Sequence, residues 1–204
     1  MTLIITLDKL VAISGRRKPT DVMAALVDPL QKHLGAAGIL DSRLQTIHFL
    51  AQGCHETDRF NTLVEYGKRP YFDRYDTRTD LGNTPQMDGD GYRYRGRGFF
   101  QLTGANNYDR AGRDLGLPLL ENPDVAADPE TSVRIAVFYW QHRNIGAWAE
   151  SDNCRAVTRL INGGLNGLPD REEALKRAKA AYKPPPDWID NPSIPARPSS
   201  RAFS

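Results

Sequence analysis

The sequence contains few of the features that mark several common protein classes. Only two cysteines, Cys54 and Cys154, occur among its 204 residues, which is too few for the disulfide framework of a small secreted domain. We expect each to be a free, buried thiol, because small apolar thiols favour protein interiors. The four histidines are scattered along the chain without the convergent spacing of three metal ligands. The sequence therefore predicts no structural disulfide, no metal and no other cofactor.

Long apolar runs and a large excess of one charge are also missing. No segment approaches the roughly 20 apolar residues that span a bilayer. The start of the chain, residues 1–9, lacks the positive region of a secretory leader. The formal net charge is +2, which is too small to indicate general nucleic-acid binding. We expect a monomer that folds in the cytoplasm, without stable membrane insertion and without a nucleic-acid partner.

The first third of the chain has the pattern of capped amphipathic helices. We predict one helix from Thr6 to about Gly15 and a second that Thr20 and Asp21 open. A third follows Asp41 and Ser42, and its apolar positions step by three and four, ending in His55 and Glu56. From 60 to 100, glycine, proline and polar residues replace this pattern. This composition predicts loops with a short hairpin for residues 60–100.

Helical patterns return after residue 100. We predict helix starts at Ala105, at Asp128 followed by Pro129, at Ser151 and Asp152, and at Asp170 with Glu173 as a capping box. The chain becomes rich in proline from Lys183, which is typical of an extended or disordered tail. The sequence therefore predicts a mainly α domain over residues 1–182, with a loop-rich small lobe at about 60–100 and a tail at 183–204.

Two carboxylates near the end of the third helix form a candidate acid–base pair. Glu56 and Glu65 lie nine residues apart. In a continuous helix they would face opposite sides, about 13.5 Å apart along the axis. They can share a substrate only if the helix ends near Phe60 and the chain turns back. Glycosidic cleavage uses such a pair, with one carboxyl as acid and the other as the base that activates water.

Other chemistries fit this region less well. His55 and Glu56 resemble part of a zinc-protease helix, but Arg59 stands where the second histidine would be required. Cys54 and His55 are neighbours on one helix and point about 100° apart, so they are badly placed to form a nucleophile–base pair. The Asp-Gly-Asp-Gly run at 88–91 lacks the later ligands of a calcium loop and predicts a tight polar turn.

A second segment, at 92–108, combines glycine and arginine with neutral amides. Gly96 and Gly98 permit unusual backbone angles. The side chains of Gln101, Asn106 and Asn107 can donate and accept hydrogen bonds, which suits sugar hydroxyl and acetamido groups. Without a relation to Glu56, the segment would be a basic surface loop followed by a helix cap.

With these segments, the sequence resembles glycoside hydrolase family 19, which contains chitinases and phage endolysins. The resemblance lies at 51–60, at 94–108 with its Gly-Arg-Gly and Gln-Leu-Thr groups, and at Ile-Asn-Gly-Gly 161–164. It implies a mainly α, lysozyme-like fold with a cleft between two lobes, and an inverting mechanism. It also implies the roles of individual residues: Glu56 as acid, Glu65 as base, Thr103 as a holder of the attacking water, and as substrate-binding residues Tyr94, Gln101, Asn107, Asn162 and Arg171. We also place His55 among the substrate-binding residues, although it could instead pair with a nearby carboxylate or pack in the core.

The resemblance leaves three functions open. The short spacing of the two glutamates resembles the endolysin-like branch, so we expect an endolysin that cleaves the glycan strands of peptidoglycan. It would accumulate in the host bacterial cytoplasm and reach the wall through a holin-type lesion. The alternatives are a chitinase and a non-catalytic wall- or chitin-binding protein. Five arginines could attract the anionic wall, and each could equally be a solvated surface charge: Arg69, Arg74, Arg93, Arg95 and Arg97.

Overall fold

The structure, a computed structural model, describes residues 2–183 and shows a mainly helical protein, as the sequence predicted. Extended segments within these residues pair only at two isolated bridges, Val64 with Arg97 and Arg97 with Leu102. Three short 3-10 turns occur, at Ile39–Asp41, Thr79–Leu81 and Pro123–Ala127. The α-helices of the described part are α1 (Leu7–Ser14), α2 (Asp21–Ala36), α3 (Arg43–Glu56), α4 (Arg69–Asp76), α5 (Asp90–Arg93), α6 (Ala105–Leu115), α7 (Pro129–His142), α8 (Ile145–Glu150), α9 (Cys154–Asn162) and α10 (Leu168–Ala181).

Side-chain caps begin the helices that the sequence predicted most directly. The side chains of Thr6, Thr20, Ser42 and Asp128 each accept a hydrogen bond from the backbone N–H three residues further on. These bonds satisfy donors that have no partner within the first helical turn. Helix α1 ends at Gly15, whose φ of 70° is accessible to glycine at little cost. The predicted starts of α1, α2, α3 and α7 are therefore confirmed.

The prediction of loops throughout 60–100 is wrong for α4 and for the four-residue α5. Pro70 lies in the first turn of this helix, where its missing N–H costs no hydrogen bond, so it favours a helix start there. Only Phe72 and Asp76 of α4 are buried. A short helix with so little apolar surface shows no clear periodic pattern in the sequence. The short α8 was also not predicted.

Two predicted helix starts near the C-terminus are displaced. Asn153, rather than Ser151 or Asp152, caps α9. Helix α10 begins at Leu168 and has no side-chain cap, so Asp170 and Glu173 do not form a capping box. In both segments the aspartate binds a residue that is distant in the sequence, and no local sequence pattern indicates that contact. The predicted tail lies outside the described residues from position 184 onward.

The main hydrophobic core surrounds α3. Most of this helix is buried, and its neighbours are α1, α2 and the helices from α7 to α10. The ring of Phe49 packs against those of Phe99 and Trp140, with centroids 5.4 and 5.2 Å away. Burying one such ring contributes about 1.5–3 kcal/mol. This core fixes α3, and with it the side chains at the C-terminal end of the helix.

A second, smaller cluster of buried side chains forms beside the main core. Its members come from the segment around Tyr94, from α6 and the loop after it, from the turn before α7 and from α7 itself: Tyr94, Tyr108, Ala111, Leu119, Ala126 and Ile135. The ring of Phe72 on α4 packs separately against three tyrosines. None of the helices within 2–183 is long and apolar enough to cross a membrane.

Gly53 on α3 provides a test of the core. A Cβ at this position would lie 2.0 Å from Cε1 of Phe99, whose ring is enclosed by Phe49 and Phe60 and cannot move aside. We expect Gly53→Ala to lower the free energy of unfolding by about 1–3 kcal/mol, measured by urea denaturation. The matched control is Gly35→Ala on α2, where the nearest atom is 3.7 Å away and alanine favours the helix. Equal stability of the two variants would contradict this description of the core.

Candidate active site

The chain reverses direction immediately after α3. Asp58, Arg59 and Phe60 have φ angles of 47°, 58° and 54°, so three consecutive non-glycine residues adopt the left-handed conformation. Each costs roughly 1 kcal/mol relative to ordinary backbone angles. Phe60 is fully buried after this turn. The helix thus ends where the sequence argument required, and the following segment returns toward the end of α3.

Contacts from the loop between α1 and α2 hold this turn. The guanidinium of Arg16 donates hydrogen bonds to the carbonyl oxygens of Asp58 and Arg59, at 2.9 and 3.2 Å. The hydroxyl of Thr20 donates to the carbonyl of Phe60 at 2.5 Å. All three left-handed residues therefore have their carbonyl groups fixed by side chains from another part of the chain, which offsets the conformational cost.

Backbone pairing places Glu65 opposite the Gly-Arg-Gly segment. The N–H of Glu65 donates to the carbonyl of Gly96 at 2.8 Å, and the N–H of Gly96 donates to Oε2 of Glu65 at 3.0 Å. A Cβ at Gly96 would lie 2.7 Å from Oε1 of Gln101 and 3.0 Å from Oε2 of Glu65. Glycine at 96 therefore lets the glutamate and the amide approach the same stretch of backbone.

Both glutamates line one cleft, with a volume of about 720 Å³. The cleft brings together most of the site residues that the sequence predicted: His55, Glu56, Glu65, Gln101, Thr103, Asn107 and Asn162. Sequence reasoning missed Tyr75, Arg78, Tyr139 and Asn166 in its wall. Pro70 is the sequence signal that could have indicated α4. A helix beginning there would place Tyr75 and Arg78, three residues apart, on the same side.

Arg171 holds Glu56 from below the cleft. Its guanidinium is completely buried and donates to Oε1 of Glu56, to Oε1 of Gln52 and to the carbonyl of Asn166, at 2.5, 2.5 and 3.1 Å. The side chain of Glu56 is 12% exposed. No residue in 2–183 donates a hydrogen bond to the other carboxylate oxygen, Oε2 of Glu56. The prediction that Arg171 binds substrate directly is therefore wrong, since it reaches the cleft only through Glu56.

His55, the residue before Glu56 on α3, is also held by a side chain of α10. Its Nδ1 lies 2.7 Å from Oδ2 of Asp170, the neighbour of Arg171 on α10. A Cβ at Gly167 would lie 2.1 Å from the His55 ring, so the backbone packs directly on it. Partial burial opposes ionisation of Asp170, but the hydrogen bonds and charges of His55 and Arg59 together outweigh it and lower the pKa of that carboxyl. The other ring nitrogen of His55 remains available in the cleft wall.

A tight turn presents the polar side chains of the opposite wall. Arg97 and Leu102 exchange two backbone hydrogen bonds, and Gln101 within the turn has a φ of 51°. The Thr103 hydroxyl donates to the carbonyl of Gln101 at 2.9 Å, and the Asn107 amide donates to the carbonyl of Thr103 at 2.7 Å. The remaining polar atoms of these side chains lie in a cleft that can accept hydroxyl and amide groups.

Tyr94 and Arg97 do not have the predicted roles. Tyr94 is 7% exposed, packs in the smaller core and donates its hydroxyl to the carbonyl of Leu120, so it does not line the cleft. Arg97 is 3% exposed, and its guanidinium bonds Asp124 and the hydroxyl of Tyr108. It supports the turn from inside and is not available to attract an anionic polymer.

The two thiols are free and buried, as predicted. Burial raises the pKa of Cys54 to about 12, and burial also raises the pKa of Cys154. Neither thiol forms a nucleophilic thiolate near neutral pH. The thiols therefore supply no nucleophile to the cleft. Within 2–183, no three residues of the types that bind metals are grouped as a metal site would require.

At the level of amino-acid sequence, the family model and the known proteins that match this chain agree with one another. The glycosyl hydrolase family 19 model, described as chitinase class I, matches residues 24–167. A glycosyl hydrolase family 19 domain-containing protein of Haemophilus influenzae is 35% identical over 156 residues, which cover 64% of this chain and 76% of that protein. Acidic endochitinase Q of Nicotiana tabacum is 33% identical over 111 residues, 45% of this chain and 44% of its own length. The chain thus spans less than half of this plant relative.

Solved structures show the same fold at lower sequence identity. Chitinase C of Streptomyces griseus HUT6037 superposes with a TM-score of 0.67 at 22% identity, over 87% of this chain and 91% of that one. A class IV chitinase of Zea mays has a TM-score of 0.59 at 21% identity, over 86% and 90% of the two chains. The helical arrangement around the cleft is therefore shared with these two enzymes.

The buried guanidinium of Arg171 can be tested by a substitution that keeps its charge. In Arg171→Lys, a single ammonium cannot reach Glu56, Gln52 and Asn166 together, so at least one buried acceptor loses its donor. We expect the free energy of unfolding to fall by about 2–4 kcal/mol in urea denaturation. Arg155→Lys, at an exposed position on α9, is the control and should leave stability unchanged. A loss at Arg171 no larger than that of the control would refute the anchoring role.

Proposed function

Because this chain belongs to glycoside hydrolase family 19, and is therefore a glycoside hydrolase acting on glycan polymers, we propose that it cleaves β-1,4 bonds of bacterial peptidoglycan. The observation that carries the proposal is the presence of Glu56 and Glu65 in one cleft. Each carboxylate has one oxygen bound by a protein donor. Each therefore keeps a second oxygen for substrate or water.

Glu56 would act as the general acid at the end of α3. Arg171 fixes Oε1, and the rigid α3 positions the side chain at the cleft. The protonated Oε2 would donate to the glycosidic oxygen as the bond breaks, which makes the departing sugar a neutral alcohol. Tyr139 lines the same wall, and burial raises the pKa of its phenol, so the hydroxyl stays protonated there.

Glu65 would act as the general base from the opposite wall. Its Oε2 accepts the N–H of Gly96, which leaves Oε1 to take a proton from water. The Thr103 hydroxyl donates to Gln101, so its oxygen lone pairs can accept the other hydrogen of that water. Attack by this water on the face opposite the leaving group inverts the anomeric carbon. Gln101, Asn107 and Asn162 would bind the acetamido and hydroxyl groups of the sugars.

Peptidoglycan is favoured as the polymer by two features of the described chain. Glu56 and Glu65 are only nine residues apart in the sequence, as in the endolysin-like branch that the sequence resembles. Exposed arginines near the cleft would attract an anionic wall. In this proposal the protein is a monomeric endolysin that accumulates in the host bacterial cytoplasm and reaches the wall through a holin-type lesion.

Chitin is the second candidate, because relatives of this chain are named endochitinases. Chitin and peptidoglycan both present β-1,4-linked N-acetylhexosamines, so the same acid, base and amides could serve either polymer. The non-catalytic binding protein is not retained, since the chain belongs to a family of glycoside hydrolases.

A zymogram on purified sacculi, run beside a colloidal-chitin assay, tests the proposal. We expect clearing of sacculi at a rate at least tenfold above that on chitin. Glu56→Gln should reduce activity by about 100-fold or more, because an amide cannot donate the proton. Its amide oxygen can still accept from Arg171, so a circular-dichroism melt should show an intact fold. Activity on chitin alone would reject peptidoglycan as the substrate, and full activity of the variant would reject Glu56 as the acid.

A further inference from the structure

One face of α4 carries an exposed stripe of tyrosine and arginine that leads into the cleft. Tyr71, Arg74, Tyr75 and Arg78 are spaced by three and four residues, so they follow one side of the helix and the turn after it. Tyr75 and Arg78 line the cleft wall. Tyr71 is 45% exposed, and Arg74 is also exposed. The stripe therefore extends the cleft surface outward.

The guanidinium of Arg74 lies between two tyrosine rings. Its central carbon is 3.8 Å from the ring centre of Tyr71 and 4.7 Å from that of Tyr75. One terminal nitrogen donates to the Tyr75 hydroxyl at 2.7 Å. The rings orient the guanidinium, and because the side chain is exposed, the N–H groups that the tyrosines do not use face solvent.

Arg74, like Arg69 and Arg95, has no carboxylate partner among the described residues, whereas two other arginines of this region have one. Arg78 is paired with Asp80, and Arg97 with Asp124. Across 2–183, no carboxylate oxygen lies within 4.0 Å of an Arg74 nitrogen. A planar cation held in position without a counter-charge is suited to bind a carboxylate from another molecule.

We propose that the Tyr71–Arg74–Tyr75 face of α4 is an anion subsite, which binds a carboxylate of the wall polymer outside the catalytic cleft. The proposal rests on the proposed function and deepens it, because it names a feature that separates the two candidate polymers. Peptidoglycan carries free carboxylates on its peptide substituents, and on lactyl groups that bear no peptide, whereas chitin is neutral. The subsite would therefore favour peptidoglycan without changing the hydrolytic chemistry.

The N–H donors of Arg74 that remain open indicate that the bound group is negatively charged. The Arg74 guanidinium covers one face of each tyrosine ring, so that face is not free to stack on a sugar ring. The outward N–H groups of Arg74 are donors only, and a carboxylate offers two acceptor oxygens at the matching separation. The site is exposed, so salt should weaken the interaction.

Sedimentation with purified sacculi tests the subsite without requiring hydrolysis. The Glu56→Gln protein serves as the background, and the sacculi are used in native form and after conversion of their carboxylates to methylamides. We expect Arg74→Gln to weaken binding to native sacculi by about three- to tenfold, as for loss of one exposed charge-assisted contact. Binding to the methylamide form should not change. The control, Arg17→Gln, alters an exposed arginine between α1 and α2 and should affect neither form.

The outcomes separate this inference from the proposed function. Equal weakening on both forms of sacculi, no weakening on either, or no binding of the background protein to native sacculi would overturn the anion subsite. Hydrolysis by the unsubstituted protein is measured separately. An enzyme that fails to cleave sacculi but shows the carboxylate-dependent effect of Arg74 would reject the proposed substrate and retain the anion subsite.

Discussion

The reversal of the chain after α3 is the constraint on which the site depends. A helix that continued past Glu56 would carry Glu65 to its opposite face, about 13.5 Å further along the axis. Three left-handed residues instead turn the chain back, and Arg16 and Thr20 bind their carbonyl groups. The loop between α1 and α2 contributes nothing to the cleft wall, yet it stabilises the turn that lets both carboxylates share one cleft.

The junction of α3 with α10 determines how the first carboxylate is presented. His55 pairs with Asp170, and the next residue on each helix forms the pair of Glu56 with Arg171. A buried ion pair costs desolvation energy, so its presence indicates a positional role more than a gain in stability. One oxygen of Glu56 is held while the other faces the cleft. Likewise, only one oxygen of Glu65 is held, in this case by the backbone N–H of Gly96.

The sequence predicted the parts of this arrangement that depend on local chemistry. Caps such as Ser42 and the period of α3 are local, and the need for a turn near Phe60 followed from helix geometry. Asp170 could not be assigned in this way, because its choice between capping α10 and binding His55 depends on tertiary packing. The same limit applies to Arg171 and Tyr94, whose burial no local pattern reveals. Family resemblance identified the segments of the cleft and most of the side chains that line it, but not the burial of Arg171 and Tyr94.

The central claim is that Glu56 and Glu65 act on opposite sides of the scissile bond through a water molecule. Proton NMR of the first products released from a soluble β-1,4-linked N-acetylglucosamine hexamer, recorded before mutarotation, reports the configuration of the new reducing end directly. The arrangement of the two carboxylates predicts the α-anomer as the initial product, because water attacks the face opposite the leaving group. An initial β-anomer would contradict the claim, since it would require a covalent or substrate-assisted step in place of direct attack by water.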